Sequence, residues 1–295
     1  MRSVLAALAL GCALALSTSA GEPAQAKLLY ASNRTGHVDI FLMNADGSSP
    51  KSLTESSGVD GYPAWSPDGK KIAFASNRDG VFQIYVMDAD GSQVTRLTKD
   101  NLMDRYPTWS PDGKKIAFSR MLAPNNQEIF VIDADGSNSV NLSNDPAHDA
   151  SAAWSPDGKK IAFTSSRAGG FRVFVMDADG QNPRDISQAD GGYAYLCPAW
   201  SPDSKKIVFA ESTPGGVEIF VFDADGKNKK QLTSLGGQNT QCAWSPDGKK
   251  IAFQHFEAGD DAGSLYLMDA DGKNATEILK AEGPLEGGRP AWKPK

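Results

Sequence analysis

The chain has 295 residues, 40% of them hydrophobic and 22% charged, with a formal net charge of -6. That composition excludes a disordered chain, and the acidic balance weighs against nucleic acid or an anionic membrane surface as the main partner. A basic or cationic partner is easier to accommodate.

The first element is Arg2, an apolar run from Val4 to Leu16 and the small polar stretch Ser17 to Ala20, the plan of a secretory signal peptide over residues 1–20. Cleavage is expected after Ala20, or as late as Ala26 at its Ala-Gln-Ala match. The apolar run is too short to cross roughly 30 Å of hydrocarbon as a helix, and no later segment approaches that length. A periplasmic or secreted protein without a membrane span is therefore expected. Cys12 sits inside the apolar run, which disfavours a lipid anchor at that residue.

From Lys27 onward the chain repeats. Trp65, Trp109, Trp154, Trp200, Trp244 and Trp292 follow one another at intervals of 44, 45, 46, 44 and 48 residues, the length of a four-stranded propeller blade. In the period after Trp65, Tyr62–Ser66 reads as a strand, Ser66-Pro-Asp-Gly69 as a turn and Lys71–Ser76 as a second strand. Gln83–Met87 is a third, Asp88-Ala-Asp-Gly91 a second turn and Thr95–Thr98 a fourth strand. The ends complement each other: Lys27–Ser32 is a second strand lacking a first, and Arg289–Trp292 a first strand lacking a second. The expectation is a single all-β domain over 27–295, a six-bladed β-propeller of four-stranded antiparallel blades. Its ring is closed by the C-terminal strand joining the N-terminal blade.

The tandem Ala-Trp-Ser-Pro-Asp-Gly-Lys-Lys-Ile-Ala-Phe and Ile-Tyr-Val-Met-Asp-Ala-Asp-Gly units resemble the C-terminal propeller of the TolB family. The resemblance implies a six-bladed, periplasmic propeller whose partners are envelope proteins or peptides, such as a peptidoglycan-associated lipoprotein. TolB also carries an α/β domain before its propeller, for which this sequence has no room. The resemblance therefore supports an exported, monomeric, protein-binding propeller rather than full TolB function.

Near-identical turns cannot discriminate a ligand, so the variable loops and the channel mouth at the other end are the expected site. Five residues before each tryptophan lie Asp60, Asp104, Asp149, Tyr195, Asn239 and Gly287; three before lie Tyr62, Tyr106, Ser151, Cys197, Gln241 and Arg289. Arg105 neighbours both sets. A second ring at the end of strand two holds Ser32, Ser76, Arg120, Ser165, Glu211 and His255, with Arg34, Arg78 and Arg167 two residues beyond three of them. Two readings stay open. The aspartates either recognise a ligand or cap loops, and the arginines either clamp an anion or tie one blade to the next. No cofactor is expected; calcium is conceivable at the rim of Asp60, Asp104 and Asp149, whereas the Asp-Ala-Asp-Gly turns offer too few oxygens for it.

No nucleophile elbow, zinc-binding helix motif or phosphate loop is present, and the three histidines fall in separate periods, so no catalytic residues are assigned. The enzyme-class alternative is a carbohydrate-active propeller resembling oligogalacturonate lyase, with His255, Arg120 and Arg289 acting on an acidic sugar. Cys197 and Cys242, one period apart, are a candidate disulfide in an exported chain, subject to the direction of their Cβ vectors.

Overall fold

Each period supplies two runs of β-branched and aromatic residues separated by Asp-Gly turns, and these become the two long central strands of a sheet. The computed structural model describes residues 26–187, 197–260, 262–280 and 288–295; the predicted signal segment, Tyr195 and Gly287 lie outside them. In the second repeat, Asp60–Trp65, Lys71–Ser76, Gln83–Asp88 and Thr95–Arg96 lie side by side, each antiparallel to the next. The third repeat is the sheet of Met103–Trp109, Lys115–Ala123, Asn126–Asp133 and Val140–Asn141. The fourth comprises Asp149–Trp154, Lys160–Ser165, Arg172–Asp177 and Arg184–Asp185. In the first, Ala291–Trp292 from the chain end pairs with Lys27–Ser32 through Leu28 opposite Trp292 and Leu29 opposite Ala291. Asp39–Asn44 and Lys51–Ser52 complete that sheet.

The expected count of six separate four-stranded blades is corrected by the sheet pairing. Four discrete four-stranded blades are present, and the strands of the last two repeats form one eight-stranded sheet. The join is parallel, with Gly216 opposite Gly237 and Val217 opposite Gln238. Glycine is required on both sides: a Cβ at Gly216 would collide with the carbonyl of Gly237, and one at Gly237 with the carbonyl of Phe256. Glu218 then spans the joint, accepting from the Gly236 amide at 3.0 Å and from Asn239 Nδ2 at 3.0 Å. Spacing along a chain carries no information about such a lateral pairing.

The core lies between neighbouring sheets. Leu29, Ile40 and Leu53 of the first repeat pack on Trp65, Phe74 and Tyr85 of the second, and Leu28, Tyr30, Phe41 and Met43 meet Ala252 and Leu265 of the last repeat. Tryptophan adds a directional latch. The indole N–H of Trp65 donates to Ala291 O at 3.2 Å, that of Trp200 to Ala153 O at 3.0 Å, and that of Trp292 to Ala243 O at 3.2 Å. The glycine of the second turn docks on the preceding repeat: at Gly91, with φ +96°, an added Cβ would stand 2.5 Å from Leu53 O. Among the described residues no helix is long and apolar enough to cross a membrane.

Candidate functional site

The innermost strands carry a shared distortion. Tyr62, Tyr106, Ser151, Cys197 and Gln241, all three residues before a tryptophan, have φ of 55°, 57°, 55°, 23° and 53°. The cross-strand register skips at the same point, between Gly61 and Ala64, Arg105 and Thr108, Ala150 and Ala153, and Thr240 and Ala243. Proline follows the distorted residue at Pro63, Pro107 and Pro198, removing a ladder N–H where the pairing breaks. A bulky residue in the left-handed region costs on the order of 1–3 kcal/mol, so the surrounding sheets must hold it there. The bulge re-aims the side chain out of the ladder. Arg289 occupies the corresponding place in the first repeat without the positive φ.

These residues meet around the central channel. The rings of Tyr62 and Tyr106 lie 4.3 Å apart, and Ser151 Oγ is 3.7 Å from Cys197 Sγ. Burial pushes the Tyr106 phenol well above its ordinary pKa, so it stays a neutral donor. At the variable end, Tyr106, Ser151, Cys197 and Gln241 open into a cavity of about 420 Å³, also lined by Gln127, His148, Thr164, Phe171, Gln238, Gln254 and Phe256. Among the described residues no carboxylate, lysine or arginine lines it. His148 stands edge-on to Phe171 at 5.3 Å, and desolvation lowers its pKa, which favours the neutral imidazole. Thr164 Oγ1 and Gln241 Oε1 are buried without a hydrogen-bond partner among the described residues. Arg289 sits toward the other end, where it donates to Pro198 O at 3.0 Å and lines a cavity of about 250 Å³ with Tyr62's neighbour Pro63, Pro107 and Trp292.

The two rings expected as separate surfaces are joined into internal pairs. Asp60, Asp104 and Asp149 are fully buried. Arg78 Nη2 donates to Asp60 at 2.9 Å, Arg167 Nη2 to Asp149 at 2.6 Å, and Arg120 grips Asp104 with two bonds of 2.8 and 2.7 Å. Arg120 and Asp104 face each other directly across adjacent strands, as do His255 and Asn239, whose Nδ1 and Oδ1 are 2.9 Å apart. Burial outweighs the arginine at Asp104 and Asp149 and raises both carboxyl pKa values. Glu211 accepts from Lys229 at 2.8 Å, and Arg105 lies 4.1 Å over the Phe82 ring. Among the described residues no group of three or more His, Cys, Asp or Glu is arranged to hold a metal ion. Cys197 and Cys242 are free thiols, and burial pushes the Cys242 thiol up to about 12.

The structure thus keeps Tyr106 and Cys197 at the mouth, withdraws the acidic residues into the sheets, and adds Gln127, His148, Thr164, Gln238 and Gln254. A signal for part of this was available. At the position before the end of strand two, three repeats have Ala31, Ala75 and Ala210 and three have Ser119, Thr164 and Gln254, and the last two of these polar residues line the cavity.

The model of the TolB beta propeller domain matches residues 15–126 and 99–295. The chain belongs to that family. TolB from Acinetobacter baumannii is 26% identical with a TM-score of 0.77, covering 92% of this chain and 67% of the other. A putative TolB from Agrobacterium tumefaciens is 21% identical with a TM-score of 0.72, covering 91% and 97%. An oligogalacturonate lyase from Vibrio parahaemolyticus shares the fold at 16% identity and a TM-score of 0.62, covering 89% and 78%. No curated protein matches the chain.

Proposed function

We propose that this TolB-like propeller is an exported, monomeric, non-catalytic module of the periplasm that binds a protein or peptide at its channel mouth. The observation carrying this reading is the mouth itself, a cavity walled, among the described residues, by uncharged amides, hydroxyls and aromatic rings on strained strands, with Thr164 Oγ1 and Gln241 Oε1 finding no hydrogen-bond partner among those residues. Amide side chains both donate and accept, which suits a peptide backbone, while aromatic faces supply contact area at little entropic cost. Residues 1–20 support export, and the resemblance to TolB nominates a peptidoglycan-associated lipoprotein as partner. A lyase role is less well supported, because Arg120 is engaged by Asp104 and His255 by Asn239.

Isothermal titration of the mature protein with purified peptidoglycan-associated lipoprotein tests the reading. Tyr106→Ala and Gln241→Ala are expected to weaken binding by about tenfold or more if they sit at the centre of the interface. Lys71→Ala, at the opposite end, should leave it unchanged. Equal binding by all three variants would remove the mouth from consideration, and unsaturated product from oligogalacturonides that vanishes in His255→Ala would overturn the non-catalytic assignment.

A further inference from the structure

At the end of the repeated turns, the tryptophan of one repeat faces the turn that follows the tryptophan of the repeat before it. The residue opening that turn is Ser66, Ser110, Ser155, Ser201 or Ser245, except in the first repeat, where Lys293-Pro294-Lys295 stands in place of Ser-Pro-Asp. Lys293 reaches across the joint and sets its ammonium 5.2 Å over the ring of Trp65, which is buried. Its Cε lies 3.1 Å, and Pro294 Cγ 3.6 Å, from where a Cβ on Gly69 would stand. Serine is too short for this and bonds within its own turn, as Ser110 Oγ does to Asp112 at 2.7 Å. The joint between the third and fourth repeats accordingly holds a groove of about 450 Å³, with Trp154 as its aromatic wall and Pro111, Asp112, Pro156 and Asp157 around it. Trp154 is partly exposed, no cation stands over its ring among the described residues, and a Cβ on Gly158 would meet nothing within 4 Å. Asp112 and Asp157 each commit one oxygen to their own turn, accepting from Ser110 Oγ and the Lys114 amide and from Ser155 Oγ and the Lys159 amide. Those bonds hold both carboxyl pKa values below the ordinary range, so both remain anions. Lys115, which also lines the groove, is already paired with Asp133 at 2.6 Å.

We propose that the Trp154 groove is a receptor for a lysine side chain on a basic, proline-containing segment of a partner, which takes there the place that Lys293 holds over Trp65. The chain's own tail displays the contact: an ammonium over an indole face, with proline against the glycine of the turn. The indole face attracts a cation through its quadrupole, and the two carboxylates at the rim add to that attraction. A second copy of the groove lies between the fifth and sixth repeats, where Trp244 stands with Asp203, Asp247 and Asp271. The lining of the Trp154 groove belongs wholly to the third and fourth repeats, whereas the described chain begins at Ala26 in the first. The groove shares no residue with the channel mouth and lies at the opposite end of the sheets, so the two readings stand or fall separately.

The test follows the indole resonances of the ¹⁵N-labelled mature protein during titration with acetyl-Lys-Pro-Lys-amide, with its uncharged counterpart acetyl-Gln-Pro-Gln-amide, and with sodium chloride at matched ionic strength. The expected result is a saturable shift at Trp154 and Trp244 with the basic peptide alone, and none at Trp65, whose ring Lys293 already covers. Asp112→Asn and Asp157→Asn should each weaken the response at Trp154 by about threefold and leave that at Trp244 unchanged. Lys293→Ser, which restores the serine of the other repeats, should uncover Trp65 and make it respond. Absence of saturation at Trp154, an equal effect of the uncharged peptide or of chloride, or a Trp65 that stays silent in Lys293→Ser would each overturn the proposal.

Discussion

The two ends of the sheets use the same residue types in opposite ways. At the end of the repeated turns, Lys71 meets Asp88 at 2.9 Å, Lys115 meets Asp133 at 2.6 Å and Lys206 meets Asp223 at 2.8 Å, all with substantial exposure. Ser66 Oγ and the Lys70 amide donate to Asp68, lowering its pKa, and the same arrangement recurs at Asp112, Asp157 and Asp247. At the variable end the carboxylates of Asp60, Asp104 and Asp149 are sealed inside and depend on arginine. Exposed pairs contribute little, because water solvates both ions nearly as well apart. Buried ones are costly to break, because the surviving ion has no solvent. The carboxylates of these pairs are already engaged, which turns attention to the channel mouth, whose lining is uncharged among the described residues.

Substitutions at each end sharpen that contrast. Asp104→Ala leaves the buried Arg120 guanidinium only Asp100, at 2.7 Å, in place of the two-bond Asp104 contact, and is expected to destabilise the fold by about 3 kcal/mol in chemical denaturation, the low end for a broken buried pair, whereas Lys71→Ala should leave the midpoint unchanged. Equal losses from the two would break the comparison. Gly91→Ala forces a side chain at positive φ against Leu53 O and should cost about 2–3 kcal/mol, showing that the uniform turns dock on their neighbours as well as reverse the chain. Trp200→Phe removes a donor bound to Ala153 O and should lose about 1 kcal/mol more than Trp154→Phe, whose indole has no acceptor among the described residues.

The smallest effect concerns His148. Its folded pKa lies below the ordinary 6.5, so the unfolded chain takes up the proton first. Its contribution to stability is complete above 6.5 and is lost as pH falls through that value toward the folded pKa. His148→Phe, which retains the ring contact with Phe171, should show a flatter loss of stability across that acidic window. Parallel pH profiles would mean that the mouth tolerates charge.

Much of the architecture was legible in order along the chain. Lys71–Ser76 matches the predicted second strand residue for residue, and the pairing of Ala291–Trp292 with Lys27–Ser32 follows from two incomplete ends. The site was less legible. Asp60, Asp104 and Asp149 looked like a rim because polar residues near a strand entry resemble surface residues, and their arginine partners stand 16 or 18 positions away in the sequence. Gln127, Thr164 and Gln254 belong to no motif and become neighbours of His148 only when three repeats converge on the channel.

Sequence alone determined the strand order, the turns and the family, because hydrophobic alternation and Asp-Gly turns are local and recur at a fixed interval. Tertiary structure alone decided that the last two repeats merge into one sheet through Gly216 and Gly237, and that the aspartates face inward to arginine. It also decided that the distorted residues Tyr106, Ser151, Cys197 and Gln241 line a mouth that is uncharged among the described residues. Those outcomes depend on which backbones approach closely and which groups lose water. Both are properties of strands brought together from distant parts of the chain.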